Sequence, residues 1–172
     1  MQQIVDSLKK CIQDANFTAT LMISLSIPDI CGKLQDQTIS SKRYINWFNK
    51  YMISKYSKSL TGNDCYALRC AILHEGSQDI SKQEKRQILD KFYFTTADGG
   101  HLTHFSRCIV GDINYDNKEF LQISVKAFCT DFIEGIEKWE KDVSGNKEVQ
   151  ENIRGMFLIH TPKDSLGGIR FG

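Results

Sequence analysis

The strongest pattern in the sequence is an amphipathic segment, SVKAFCTDFIEGIEKWEKDV, at residues 124–143. Its apolar residues recur every three or four positions, and most of its acids and lysines fall on the other side of a helical wheel. A helix with one apolar face must bury that face against other elements of the fold. The segment therefore predicts a helix whose packing needs a core supplied by the rest of the chain.

Three earlier segments carry apolar residues at the same helical spacing. They are residues 2–15, a stretch that begins near 13–17 and bends or restarts at Pro28, and the aromatic-rich segment 40–60. A last short helix is expected at 147–159. The apolar faces predict a shared core that contains Leu8, Leu25, Trp47, Leu68, Ile72, Phe128, Phe132 and Ile136.

The sequence pattern changes from helical to β-forming between residues 91 and 110. KFYFTT and LTHFSRCIV are rich in β-forming residues, and ADGG between them favours a turn, so the stretch predicts a β-hairpin. The expected fold is mainly α, a helical bundle with one small β-hairpin insertion. A single domain would span 1–160, and 161–172 would form a loose C-terminal tail.

Composition narrows the functional classes. The 172 residues suffice for one domain, and 22 Lys and Arg against 21 Asp and Glu give a net charge of +1. No overall field attracts nucleic acid, so an anionic partner would have to meet a local patch. We expect neither a signal peptide nor a membrane span. The six cysteines are scattered, which predicts reduced, mostly buried thiols in a cytoplasmic protein.

Two short patterns that resemble metal sites lack the geometry or the residues that a metal site requires. His101 and His104 lie three apart in an expected strand or turn, where their side chains would point to opposite faces. The segment DINYDNKE begins like a calcium loop but has Asn117 at the position that needs glycine and Ile123 at the position that needs glutamate. We therefore expect no metal site and no cofactor.

The segment TGNDCYALRCAILHEG carries the most specific signal. Thr61 is a candidate cap with Asp64 three residues later, Asn63 is the competing cap, and Gly76 suits the left-handed position after the last turn. Arg69 and His74 have four residues between them. The fork of donors on arginine suits phosphate, and a helix C-terminus stabilises an imidazolium.

The alternative is an ordinary helix whose polar residues fall there by chance, since short motifs recur at random. Arg154 and His160 match the same pattern, but they precede a proline-containing tail, so that match is interpreted as chance. An ideal α-helix would separate residues five apart by about 140°. Arg69 and His74 are therefore expected to flank a groove rather than to stack on one face.

This capped helix, with Arg, four residues, His and a terminal Gly, resembles the HEPN superfamily (higher eukaryotes and prokaryotes nucleotide-binding). Members are helical and often dimeric, and many are metal-independent ribonucleases of toxin–antitoxin, CRISPR and other defence systems. The resemblance implies a homodimer through the 63–75 helix and an antitoxin or defence partner. It also implies RNA cleavage through attack by the ribose 2′-OH, with His74 and Arg69 as catalytic residues. The sequence departs from many members at Cys70 and Gly76.

Residues 42–58 give a second clue, because they carry several basic residues and no acid. Lys42, Arg43, Lys50 and Lys55 are candidate RNA-binding residues, and the aromatics between them could stack on bases. Alternatively, the aromatics belong to the core and the lysines are simply solvated. The sequence is compatible with two functions. One is a metal-independent endoribonuclease, and the other is a non-catalytic helical module that binds a partner protein or a nucleotide.

Overall fold

The structure is a computed structural model. It describes residues 1–36, 40–56, 59–97 and 118–160, together with the backbone of short strands at 103–106, 109–110, 113–114, 165–166 and 169–170. The chain is mainly helical and carries a small sheet, which confirms the expected fold class.

Six α-helices are present in the described part of the chain. They are α1 (Gln2–Gln13), α2 (Phe17–Gln35), α3 (Ser40–Tyr51), α4 (Gly62–Cys70), α5 (Val125–Val143) and α6 (Lys147–Arg154). A 3-10 turn, Ile53–Lys55, follows α3, and a π-helical turn, Ala71–Glu75, continues α4. The strands are β1 (Lys91–Thr95), β2 (Thr103–Ser106), β3 (Ile109–Val110), β4 (Ile113–Asn114), β5 (Glu119–Ser124), β6 (Ser165–Leu166) and β7 (Ile169–Arg170).

Helix α2 lies at the centre of the bundle and contacts each of the other five α-helices named above. A helix that is apolar on most of its circumference is stable only when it is surrounded. Asn16 caps its start by accepting a hydrogen bond from the backbone N–H of Ala19. The helix continues through Pro28 to Gln35, so it does not restart at the proline.

The predicted core is confirmed, since all eight residues are buried. Aromatic side chains join α3 to α5. Phe128 and Phe132 meet edge to face with ring centroids 5.0 Å apart, and Phe132 stacks on Trp47 at 6.3 Å. Gly135 allows this close packing, because a Cβ there would lie 2.8 Å from the sulfur of Met52 and 2.9 Å from the Trp47 ring.

A buried carboxylate fastens the start of α4 to the following loop. Asp64 is fully buried, and its Oδ2 accepts a hydrogen bond from the Thr61 hydroxyl at 2.6 Å. Its Oδ1 accepts from three backbone N–H groups, those of Gln87, Ile88 and Leu89, at 2.7, 2.9 and 3.2 Å. Thr61 also accepts from the Asp64 N–H, as the predicted capping requires. These four donors satisfy the Asp64 side chain, which explains how it is tolerated in the core.

The sheet differs from the predicted hairpin. Its strand order is β1-β5-β2, so β1 and β2 do not pair with each other. Strand β5 lies between them, parallel to β1 with Phe92 opposite Leu121, and antiparallel to β2 with Phe105 opposite Phe120. The hairpin prediction is therefore wrong in its pairing, although β1 and β2 fall within the predicted range.

Strand β5 escaped prediction because its apolar residues run directly into the pattern of α5. Phe120, Leu121 and Ile123 are buried, as in a central strand covered on both faces. Such a short apolar run cannot be distinguished from the first turn of a helix by its periodicity. Ser124 marks the boundary, because its hydroxyl accepts from the Ala127 N–H and so caps α5.

The chain end also differs from expectation. Helix α6 ends at Arg154, so the predicted helix over 147–159 is too long, and Phe157, Leu158 and Ile159 follow it as exposed apolar side chains. Where the sequence predicts a loose tail, β6 and β7 form a short antiparallel pair. None of the helices in the described ranges combines the length and the apolar character needed to cross a membrane.

We expect Asp64→Ala to lower the free energy of unfolding by about 3–5 kcal/mol. The substitution leaves one buried and two partly buried backbone N–H groups without an acceptor, and a fully buried group of this kind costs about 1–3 kcal/mol. Urea denaturation followed by circular dichroism measures the change. Glu151→Ala is the control, because Glu151 lies on the exposed face of α6 and its loss should cost less than about 0.5 kcal/mol. Equal stabilities for the two variants would contradict this account of the α4 anchor.

Candidate active site

Helix α4 ends in a π-helical turn, and this turn brings the two candidate catalytic residues together. The N–H of Gly76 is shared between the carbonyls of Ala71 and Ile72, five and four residues earlier. Gly76 adopts the left-handed conformation, with φ of 64°, as its position after the helix predicts. Bonds from residue i to i+5 widen the turn and bring side chains five apart closer to one face.

Arg69 and His74 are in direct contact as a result. Arg69 Nη1 lies 2.9 Å from His74 Nε2, and the histidine is exposed. The expectation that the two side chains flank a groove is therefore wrong, because it assumed regular α-helical geometry. A guanidinium can only donate, so Nε2 of His74 must accept and the ring proton of the neutral imidazole must lie on Nδ1.

A third residue, Asp29 of α2, completes the cluster. Its Oδ2 lies 2.8 Å from Arg69 Nε, and its Oδ1 accepts a hydrogen bond from Ser40 Oγ at 3.1 Å. Both atoms of the ion pair are shielded from solvent, and they face each other off the ideal direction for a hydrogen bond. Burial favours neutral Arg69, but the Asp29 carboxylate and Cys70 outweigh it and raise the arginine pKa.

Tyr66 and Cys70 line the same part of α4. The Cys70 sulfur lies 3.9 Å from Arg69 Nη1, and the Tyr66 ring meets the Tyr44 ring edge to face at 5.4 Å. Burial, and then the neighbouring Cys70, raise the pKa of Tyr66. Cys70 is only half-buried, in contrast to the buried Cys65 on the same helix.

Sequence reasoning identified Arg69 and His74 but missed Asp29. Nothing in the spacing connects Asp29 with a motif 40 residues later. One signal was present. An acid in an otherwise apolar, surrounded helix needs a partner, because ionised carboxylates are rarely buried without one.

The four candidate RNA-binding residues do not form one surface. Lys55 is bound by two carboxylates of α5, Asp131 at 2.6 Å and Glu134 at 2.7 Å. Burial opposes its charge, but these hydrogen bonds prevail and raise its pKa. Lys50 pairs with Asp142 at 2.9 Å, and this bond raises the lysine pKa.

Arg43 and Lys50 do share a cleft of about 320 Å³ between the end of α2 and α3. Lys42 is exposed near the start of α3. Lys50 lies ten residues beyond Ser40, about 15 Å along the helix axis, and therefore away from the Asp29 contact. The nearby aromatic side chains belong to the core, as the alternative interpretation of this segment expects, and they are not a base-stacking platform: Tyr44, Trp47, Phe48, Tyr51 and Tyr56 are all buried. The same interpretation is wrong for Lys50 and Lys55, which are ion-paired rather than simply solvated.

The described side chains contain no group of three or more His, Cys, Asp or Glu residues that could hold a metal ion. His101 and the side chain of His104 lie outside the described residues, as does most of the loop that resembles a calcium site. The chain matches no protein-family model, no curated protein and no solved structure.

We expect the Asp29–Arg69 pair to contribute a coupling energy of about 1–3 kcal/mol to stability. Side chains about one-fifth exposed lie between a surface pair, worth about 0.2–1 kcal/mol, and a fully buried pair, whose disruption costs about 3–5 kcal/mol. A double-mutant cycle with Asp29→Ala and Arg69→Ala measures the coupling.

The exposed pair Lys10–Asp14 is the control for this cycle, because its 2.7 Å contact has both side chains more than half exposed. Its coupling should stay below about 0.5 kcal/mol. A coupling between Asp29 and Arg69 no larger than that of the control would contradict the half-buried ion pair.

Proposed function

We propose that the protein is a metal-independent endoribonuclease of the HEPN type. The observation that supports this best is the 2.9 Å contact between Arg69 and the exposed His74 at the end of a capped helix. One side chain is a permanent cation with donors suited to phosphate, and the other is an imidazole, the group that most often transfers protons in acid–base catalysis. These are the two chemical roles that phosphodiester cleavage by an internal nucleophile requires.

In the proposed reaction the ribose 2′-oxygen attacks the adjacent phosphorus and the P–O5′ bond breaks. His74 takes the proton of the 2′-hydroxyl, and the imidazolium so formed supplies a proton to the departing 5′-oxygen. Arg69 stabilises the charge that develops on the phosphorane oxygens. The products are a 2′,3′-cyclic phosphate and a 5′-hydroxyl, and no metal ion is needed to generate the nucleophile.

The resting contact implies an order of events. Nε2 of His74 cannot accept a proton while it accepts the hydrogen bond from Arg69 Nη1. An RNA phosphate that binds both Nη1 and Nη2 of the guanidinium competes for the Nη1 donor and frees Nε2 beside the 2′-hydroxyl. Substrate binding and activation of the base are thereby coupled.

A homodimer through the 63–75 helix and its π turn would place two such sites side by side. An apolar depression of about 250 Å³ beside the turn supports this assembly, and Phe17, Met22, Ile72 and Phe94 are among its lining residues. Met22, a large apolar side chain that lines this depression, is 42% exposed.

The cellular setting we infer is a cytoplasmic defence or toxin–antitoxin system, with an antitoxin or another defence protein as partner. The five cysteines that the structure describes, all as free thiols, are compatible with a reducing compartment. Of the candidate RNA-binding residues, Lys42 and Arg43 lie nearest along α3 to Ser40 and hence to the site.

The second candidate function is a non-catalytic module that binds a partner protein or a nucleotide. One observation favours it: Asp29, Asp131, Glu134 and Asp142 already compensate much of the positive charge that RNA would meet. This candidate predicts a folded protein that binds its partner and cleaves no RNA.

Arg69→Ala and His74→Ala should each lower kcat for RNA cleavage by about 100-fold or more. Loss of a general acid–base group costs about 10²–10⁴-fold, and loss of one charge-stabilising donor about 10²–10³-fold. Cleavage of a fluorescent single-stranded RNA, with mass analysis for the cyclic phosphate, provides the measurement. EDTA should leave the rate unchanged.

The matched control is the double variant Arg154→Ala/His160→Ala, which removes the other Arg–His match in the sequence. It should cut RNA at the wild-type rate. Equal cleavage by wild type and His74→Ala would point to a contaminant, and absence of cleavage by the wild type would favour the binding module.

For the assembly we expect a dimer in light scattering at micromolar concentration. Met22→Glu should convert it to a monomer, because it places a charge in the apolar depression beside the π turn. Leu158→Glu, a change at an apolar side chain that is 66% exposed on the segment after α6, should leave the dimer intact. The reverse pattern would move the interface away from α4.

A further inference from the structure

Asp29 is the residue of the cluster to which neither the motif nor the proposed reaction assigns a role. We propose that Asp29 is a positioning residue, which holds the Arg69 guanidinium so that Arg69 in turn fixes the orientation and tautomer of His74. The proposal deepens the proposed ribonuclease function and rests on it for its kinetic consequences. The geometric part stands on the contacts of Asp29, Arg69 and His74 alone.

Whether Asp29 positions Arg69 or competes with the substrate depends on the side from which a phosphate can reach the guanidinium. Arg69 Nε and Asp29 Oδ2 are both shielded from solvent, whereas His74 at the other end of the guanidinium is exposed. A phosphate would therefore approach the Nη side of Arg69 and meet Asp29 only behind it. A carboxylate in that place orients the arginine and does not occupy the site of the substrate.

Each contact in the series from Ser40 to His74 restricts the movement of one side chain. Ser40 Oγ donates to Asp29 Oδ1, which ties the carboxylate to the first turn of α3. Asp29 holds the Nε edge of Arg69, and Arg69 Nη1 donates to His74 Nε2. In the described part of the chain, Nη2 of Arg69 has no hydrogen-bond partner, which leaves its two N–H groups for phosphate oxygens.

The charge of Asp29 gives the proposal a kinetic signature. A negative charge 2.8 Å from Arg69 weakens the attraction of the site for an anion, so its removal should not weaken RNA binding. Loss of orientation should still slow the chemical step, since a misplacement of about 1 Å can cost about 100-fold in rate. We expect Asp29→Asn to lower kcat by about 10-fold or more with KM unchanged or lower.

A second readout does not depend on cleavage. If Arg69 holds His74 as the contact indicates, neutral His74 carries its proton on Nδ1, and ¹⁵N NMR of the imidazole nitrogens at pH 8 should report that tautomer in the full-length wild-type protein. Asp29→Asn should shift the population toward the other tautomer, because the guanidinium is no longer held from behind.

The experiment measures kcat, KM and the His74 ¹⁵N shifts for wild type, Asp29→Asn and Ser40→Ala, with Asp14→Asn as the control for loss of a surface carboxylate. Ser40→Ala removes only the hydroxyl that holds Asp29 and keeps the proposal testable if Asp29→Asn does not fold. It should change both readouts in the same direction by a smaller amount, and Asp14→Asn should change neither.

Three results would overturn the proposal. The first is an Asp29→Asn enzyme that is faster than wild type, which would make Asp29 a competitor of the substrate. The second is a higher KM at unchanged kcat in Asp29→Asn. The third is an unchanged His74 tautomer in the same variant. If the wild type cleaves no RNA, the proposed function fails. The tautomer measurement then still decides whether Asp29 positions Arg69 and His74.

Discussion

The central position of α2, in contact with five other helices, is the constraint on which the rest of the structure depends. Every other α-helix of the described chain packs against α2, so a charged group on one of its covered faces must find a partner within the bundle. Asp29 meets that need with Arg69 of α4 and Ser40 of α3. The same ion pair that makes an acid tolerable in the central helix thus fixes the position of the candidate catalytic arginine.

The π turn gives the motif its geometry. In a regular α-helix Arg69 and His74 would diverge by about 140°, and neither could orient the other. The widened turn at Ala71–Glu75 brings them into contact and is closed by Gly76 in the left-handed conformation. Turns of this kind are frequent at functional sites. Here the turn joins a cation held from behind by Asp29 to an exposed histidine.

The sequence predicts the helices well because their signals are local. Apolar spacing placed Phe128 and Leu25 in the core, and Thr61 and Gly76 mark the two ends of the α4 segment. What could not be predicted depends on partners far along the chain. Strand β5 lies between β1 and β2, and the local sequence of β1 and β2 does not show that each pairs with β5 rather than with the other. Asp29 likewise contacts Arg69, which lies 40 residues later in the sequence. The π turn also has no spacing signature, so the expected angle between Arg69 and His74 was wrong.

A DNA oligonucleotide that contains a single ribonucleotide tests the central claim most directly. If Arg69 and His74 promote attack by a ribose 2′-hydroxyl, cleavage should occur only on the 3′ side of the ribonucleotide and leave a 2′,3′-cyclic phosphate. The same oligonucleotide with a 2′-O-methyl group at that position should stay intact, since its oxygen has no proton to lose. Equal cleavage of the methylated or all-DNA strand would contradict the account.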